Sequence, residues 1–74
     1  KGIRFFFYSN EGNPREPLHI HAVSPIGEAK IWLVPDIKVA SSAGFDRRTL
    51  MELIKVVKEN QTQIESAWHE HFGR

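Results

Sequence analysis

The sequence predicts an α+β domain: an antiparallel β-meander of three to four strands, with one long C-terminal amphipathic helix packed on one face. Two observations carry that expectation. Residues 3–40 alternate between short β-prone runs and Pro/Gly/Asn-rich breaks, and residues 46–72 repeat apolar side chains at helical spacing. With 74 residues there is room for one core, and the whole chain, 1–74, is expected to form a single domain.

The first run, IRFFFYS over 3–9, is aromatic-rich and predicts a strand. NEGNPREP over 10–17 is a loop, because its prolines lack ladder donors. LHIHAV over 18–23 alternates and predicts the second strand, SPIG a tight turn, and EAKIWLV over 28–34 the third strand. After Pro35-Asp36, residues 37–40 form a short fourth strand, and SSAG over 41–44 is expected to be a link. Short strands joined by short links favour antiparallel neighbours.

Asp46 is the expected helix N-cap, since its carboxylate can accept first-turn N–H groups. Phe45 and Leu50 flank it as a hydrophobic staple pair. Leu50, Leu53, Ile54, Val57, Ile64, Trp68 and Phe72 fall on one stripe, with Arg48, Glu52, Lys55 and Glu59 opposite. A helix of roughly 26 residues would be about 39 Å long and would overhang a short sheet.

Strand parity sorts the sheet into two faces. One set, Phe5, Phe7, Ile20, Ala22, Ala29, Ile31, Leu33, Ile37 and Val39, suits a core beneath the helix. The other set holds Arg4, Phe6, Tyr8, His19, His21, Val23, Glu28, Lys30, Trp32 and Lys38. One helix covers one face, so the second set is expected to stay at least partly open, and exposed aromatic patches mark partner sites. The candidate binding face is therefore His19, His21, Lys30, Trp32, Arg4 and Tyr8.

His19 and His21, two apart on a strand, place their imidazoles about 6.6 Å apart along the chain. That spacing allows a shared zinc or other divalent ion, with Glu28, Glu16 or His71 as a third ligand. No metal-site motif strengthens the pair, and no cofactor is the main expectation. His69 and His71 are about 200° apart on a helix and cannot share a ligand; His71 is expected half-buried at the core margin. Trp68 sits at the centre of the stripe and is expected in the core against Phe5 or Phe7, Ile20 and Ile31. Arg47 and Arg48 oppose the helix dipole and read as solvated side chains or an anion contact.

The balance of charge is +1, from ten basic and nine acidic side chains, so it gives no strong pull toward nucleic acid or anionic lipid. There are no cysteines, which fits a reducing cytosol and excludes a disulfide framework. No apolar run approaches the roughly 20 residues of a membrane span. The chain begins at Lys1 without methionine, and a short preceding segment is expected. No nucleophile elbow, P-loop or dinucleotide fingerprint is present.

The run Pro17, His19, His21, then Ala29, Lys30 and Ile31, resembles the bacterial domain-of-unknown-function family DUF4160 over essentially the whole chain. Leu18 departs from the second proline that usually precedes the first histidine in that family. The resemblance implies a cytoplasmic bacterial protein whose gene sits beside that of a second small protein, similar to a toxin–antitoxin pair. It assigns no biochemistry. Three functions are thus weighed. The leading one is an interaction or regulatory module, binding a small cognate protein or its own second copy. The second is a single-strand nucleic-acid binder, with Phe6, Tyr8 and Trp32 stacking bases and Arg4, Lys30 and Lys38 on phosphates. The third is a histidine-dependent hydrolase or ribonuclease using His19 and His21 as base and acid. The balance leans away from an enzyme.

Overall fold

The structure, a computed structural model, describes residues 2–7 and 16–72. Four strands, β1 (Arg4–Phe6), β2 (His19–Ser24), β3 (Gly27–Trp32) and β4 (Lys38–Ala43), form one sheet in the order β1-β2-β3-β4. Every neighbouring pair is antiparallel, as expected for a meander. Among the described residues, no helix is long and apolar enough to cross a membrane.

The alternation expected for β2 and β3 holds on the core face. Ile20, Ala22, Ala29, Ile31 and Leu33 are buried with Phe45, Leu53 and Val57. Phe5, Phe7, Ile37, Leu50 and Ile64 pack at the margin of this cluster. The pairs Ile20↔Ile31 and Ala22↔Ala29 explain why the small residues recur: each stands opposite its like in size, under one helix.

Strand boundaries differ from expectation: β1 ends at Phe6 with Phe7 beyond it, and β3 ends at Trp32 rather than at 34. The fourth strand is not confined to 37–40, for Ser41, Ser42 and Ala43 pair with Lys30, Ala29 and Glu28. Between Ile31↔Val39 and Lys30↔Ser41 the register shifts by one, leaving Ala40 as a bulge residue. Of the expected 41–44 link only Gly44, with φ +89°, lies outside β4. A side chain there would run into the Ile26 carbonyl, so only glycine lets the β2–β3 turn lie against the start of the helix.

The single long helix is in fact two, α1 (Arg47–Glu59) and α2 (Gln61–Phe72), divided at Asn60. The Asn60 N–H donates to Val56 O (3.1 Å) and Val57 O (3.2 Å), and its side-chain Nδ2 also donates to Val56 O (2.8 Å). An asparagine that satisfies the preceding carbonyls with its own side chain ends a helix. The new helix starts at once, Ile64 N–H donating to Asn60 O at 3.0 Å.

Asp46 caps α1 as expected, with Oδ1 accepting from Thr49 N–H at 2.8 Å. That hydrogen bond holds the Asp46 carboxyl below its ordinary pKa. A depressed carboxylate pKa gives stability that is present above the unfolded-state value and lost as pH falls through the folded one. Asp46→Ala is expected to lower the thermal midpoint at neutral pH and to flatten the acid limb of the stability curve. An unchanged midpoint and acid limb would show that the cap contributes nothing.

Candidate functional site

The sheet's outer face is built in cross-strand rows. Arg4 stands opposite Val23, which stands opposite Glu28 and then Ala43. Phe6, His21, Lys30 and Ser41 make the next row, and His19, Trp32 and Lys38 the one beyond. Antiparallel partners point to the same side of a sheet, so His21, Lys30 and Trp32 share one surface, as parity required. Tyr8 lies outside the described residues.

Lys30 organises this surface. Its ammonium donates a hydrogen bond to Glu16 Oε1 and lies 4.6 Å from the centre of the Trp32 ring, a cation–π distance. The Lys30 hydrogen bond is the main reason the Glu16 carboxyl is held below its ordinary pKa; the charges of Lys30, His19 and His21 add to it. The Glu16–Lys30 link is therefore intact at neutral pH and is lost as the medium is acidified through the Glu16 folded-state pKa. In the neighbouring row the His21 and Phe6 rings stack at 5.9 Å with an interplanar angle of 26°, and the Arg4 guanidinium lies 6.0 Å from Phe6. Beside them, His21, Val23, Glu28, Lys30, Ser41 and Ser42 line an open depression of about 340 Å³.

His19 does not belong to the open surface, which corrects the sequence expectation. Its side chain has 0% exposure. Nδ1 lies 2.8 Å from Pro17 O, and because a carbonyl only accepts, that nitrogen carries a proton and donates. The ring meets His21 at 5.1 Å, Trp32 at 5.5 Å and Trp68 of α2 at 5.3 Å, each roughly edge to face. The residue expected to point away from the helical layer thus touches it.

Trp68 is buried in the core as expected and meets one expected neighbour, Phe7, at 5.5 Å. Its other ring partners are His19 and Phe72 (4.3 Å), and it stands outside the cluster around Ile20 and Ile31. His71 is exposed rather than half-buried, its ring edging Phe7 at 5.9 Å and Phe72 at 4.7 Å; His69 is exposed too. Arg47 and Arg48 are also exposed.

For a metal, His19 and His21 are adjacent, but the His19 Nδ1 is engaged with Pro17, and Glu16 Oε1, 3.8 Å from His19 Nε2, holds Lys30. Among the described residues no three His, Asp or Glu side chains converge as a metal site. Strand parity does not reach Glu16, a further contributor to this face; its place three residues before His19 is the available signal. Phe6, which parity does put on this face, supports His21 directly.

The family model for a domain of unknown function, DUF4160, matches residues 2–69. No curated protein and no solved structure matches the chain.

Proposed function

We propose that this chain, which belongs to the DUF4160 family, is a small interaction and regulatory module that recognises a partner protein through the outer face of its sheet. The observation behind this reading is the arrangement around Lys30. His21, Lys30 and Trp32 remain partly exposed, yet each is held in place by a neighbour: Phe6 under His21, Glu16 on Lys30, and Lys30 over Trp32. A pre-ordered surface loses little conformational freedom on binding, and tryptophan, present here as Trp32, is among the side chains that dominate interface hot spots. Arg4, Lys30 and Lys38 outnumber Glu16 and Glu28 on this face, and with Lys30 held by Glu16 the remaining cations Arg4 and Lys38 suit a partner presenting carboxylates around an apolar patch. A cytoplasmic bacterial setting and a partner encoded by the adjacent gene are in keeping with the gene-pair arrangement that the resemblance implies.

The nucleic-acid reading is weaker on the same geometry. Base stacking needs free ring faces. Lys30 lies over one face of Trp32, and His21 stacks on Phe6. The hydrolase reading is weaker still, because one of its two imidazoles, His19, is sealed from solvent.

The test is titration of the full chain with the product of the adjacent gene, with single-stranded RNA and with zinc. Lys30→Glu and Trp32→Ala are each expected to weaken binding of the protein partner about tenfold or more, the scale of an interface hot spot. Circular dichroism would verify that both variants remain folded. Full affinity in both folded variants would sink the proposal, and affinity for RNA alone would favour the nucleic-acid reading.

A further inference from the structure

The order of the sheet leaves β1 and β4 at its edges, and β4 is the longer, with six residues against three. Among the described residues nothing pairs with the outer side of β4. All of its residues except Val39 are exposed, and Lys38 is its one charge. Exposed edges are ordinarily blunted by charge, proline, brevity or a bulge. Here the strand has no proline, and beyond Lys38 its only such device is the bulge at Ala40.

We propose that the β4 edge pairs with β4 of a second copy of this chain, antiparallel about a two-fold axis, to give one continuous eight-stranded sheet. The bulge selects the register. Lys38, Ser41 and Ala43 pair with the outer-face residues Trp32, Lys30 and Glu28, whereas Val39 and Ser42 pair with the core-face residues Ile31 and Ala29. Directly opposed residues must point to the same side of a sheet. In a regular strand, residues five apart such as 38 and 43 point to opposite sides. The extra residue at Ala40 puts Lys38 and Ala43 on the same side, and likewise Val39 and Ser42. Lys38 opposite Ala43 of the partner subunit and Val39 opposite Ser42 of the partner subunit therefore agree with both faces. Shifting by one residue either way sets Val39, a core-face residue, opposite an outer-face one.

This register is also complementary in charge. Glu28 stands next to Ala43 on the outer face, one strand further in. Lys38 would face Glu28 of the partner subunit across the small Ala43 of the partner subunit, over two strand spacings, roughly 10 Å between backbones. Two extended side chains cover that span, and the symmetry produces the pair twice.

The helical layer supplies a second, independent feature. On α1, Thr49 and Glu52 lie beside Ile3, Ser24 and Pro25, on the β1–β2 side. Met51, Ile54 and Lys58 are on the opposite flank of the helix at 100° per residue. They therefore lie toward β4, where they line a groove of about 480 Å³ in which Met51 is 65% exposed. Two-fold pairing of the β4 edges brings the two grooves together. The contact then extends beyond the strand pair, toward the roughly 1,000 Å² a specific interface needs.

This edge adjoins the His21, Lys30 and Trp32 surface and shares Lys38 and Glu28 with it; the dimer is therefore read on the chain alone, with no partner present, so its failure is distinguishable from that of the partner-binding reading. Sedimentation of the full chain over a wide concentration range is expected to show a monomer–dimer equilibrium. Lys38→Glu and Glu28→Lys are each expected to raise the dissociation constant about tenfold, since a repelled pair occurs twice, and the double reversal to restore it. The chain has no cysteine, so Lys38→Cys with Ala43→Cys provides a clean geometric check: the two positions are too far apart within one strand but opposed across the axis. Oxidation is expected to yield a covalent dimer. A monomer at every concentration would overturn the proposal. So would a dimer indifferent to both charge reversals that does not crosslink, because it would use another surface.

Discussion

Trp68→Ala is expected to lower the stability of the fold by about 3–5 kcal/mol, the range for truncating a large buried aromatic side chain. Trp68 is 4% exposed and is the one buried residue of α2. It lies edge-on to Phe7 at 5.5 Å, meets His19 at 5.3 Å and packs against Phe72 at 4.3 Å. The indole thus ties the second helix both to the end of β1 and to the start of β2. Small domains have only about 5–15 kcal/mol in total, so the variant should be largely unfolded or should keep α2 detached from the sheet. Trp68→Phe retains most of the apolar contact and should lose much less. Urea unfolding followed by circular dichroism separates these outcomes. A Trp68→Ala midpoint equal to that of the parent protein would show that α2 contributes nothing to the fold.

The central sheet was readable because β2 and β3 are half-buried, and alternation is then imposed on every residue. Ile20, Ala22, Ala29, Ile31 and Leu33 all lie where period two put them. The start of α1 was readable because capping is local: Asp46, Thr49 and Leu50 are within one turn of one another. The length of β4 was not readable. Ser41, Ser42 and Ala43 have no apolar alternation and weak strand preference, and they are a strand only because β3 lies alongside. Nor was the break between α1 and α2, because Val57 and Ile64 are seven residues apart and the apolar stripe runs on across Asn60. The competition of one asparagine side chain for the Val56 carbonyl is invisible to that periodicity.

For the candidate site, parity established which side chains share a face but not how deeply each is covered. His21, Lys30 and Trp32 were grouped correctly from alternation alone. The Glu16–Lys30 hydrogen bond joins residues 14 apart, from the loop before β2 to the middle of β3, and no local pattern records it. The burial of His19 likewise depends on a residue 49 positions later. A lone helix on one face leaves the opposite face at least partly open, with His19 on it, but the segment that closes over His19 is the second helix, which periodicity alone does not separate from the first.

His19→Ala is therefore expected to destabilise the protein by about 2–4 kcal/mol, through a cavity among packed rings and the loss of a hydrogen bond. The ring touches Trp68, Trp32 and His21, and its Nδ1–H donates to Pro17 O at 2.8 Å. Removing it withdraws the aromatic wall against which Trp68 packs and the donor that fixes the entry of the chain into β2. His21→Ala removes a partly exposed ring from the same face and should change stability by about 1 kcal/mol or less. His19→Phe isolates the two contributions, for it restores ring packing while leaving Pro17 O without its donor, and its stability should fall between those of the parent and His19→Ala. Paired denaturant titrations of the three variants measure the order directly. If His19→Ala and His21→Ala unfold at the same denaturant concentration, the two histidines are equivalent surface residues. His19 would then return to the binding face beside His21, and its contact with Trp68 would carry no structural role.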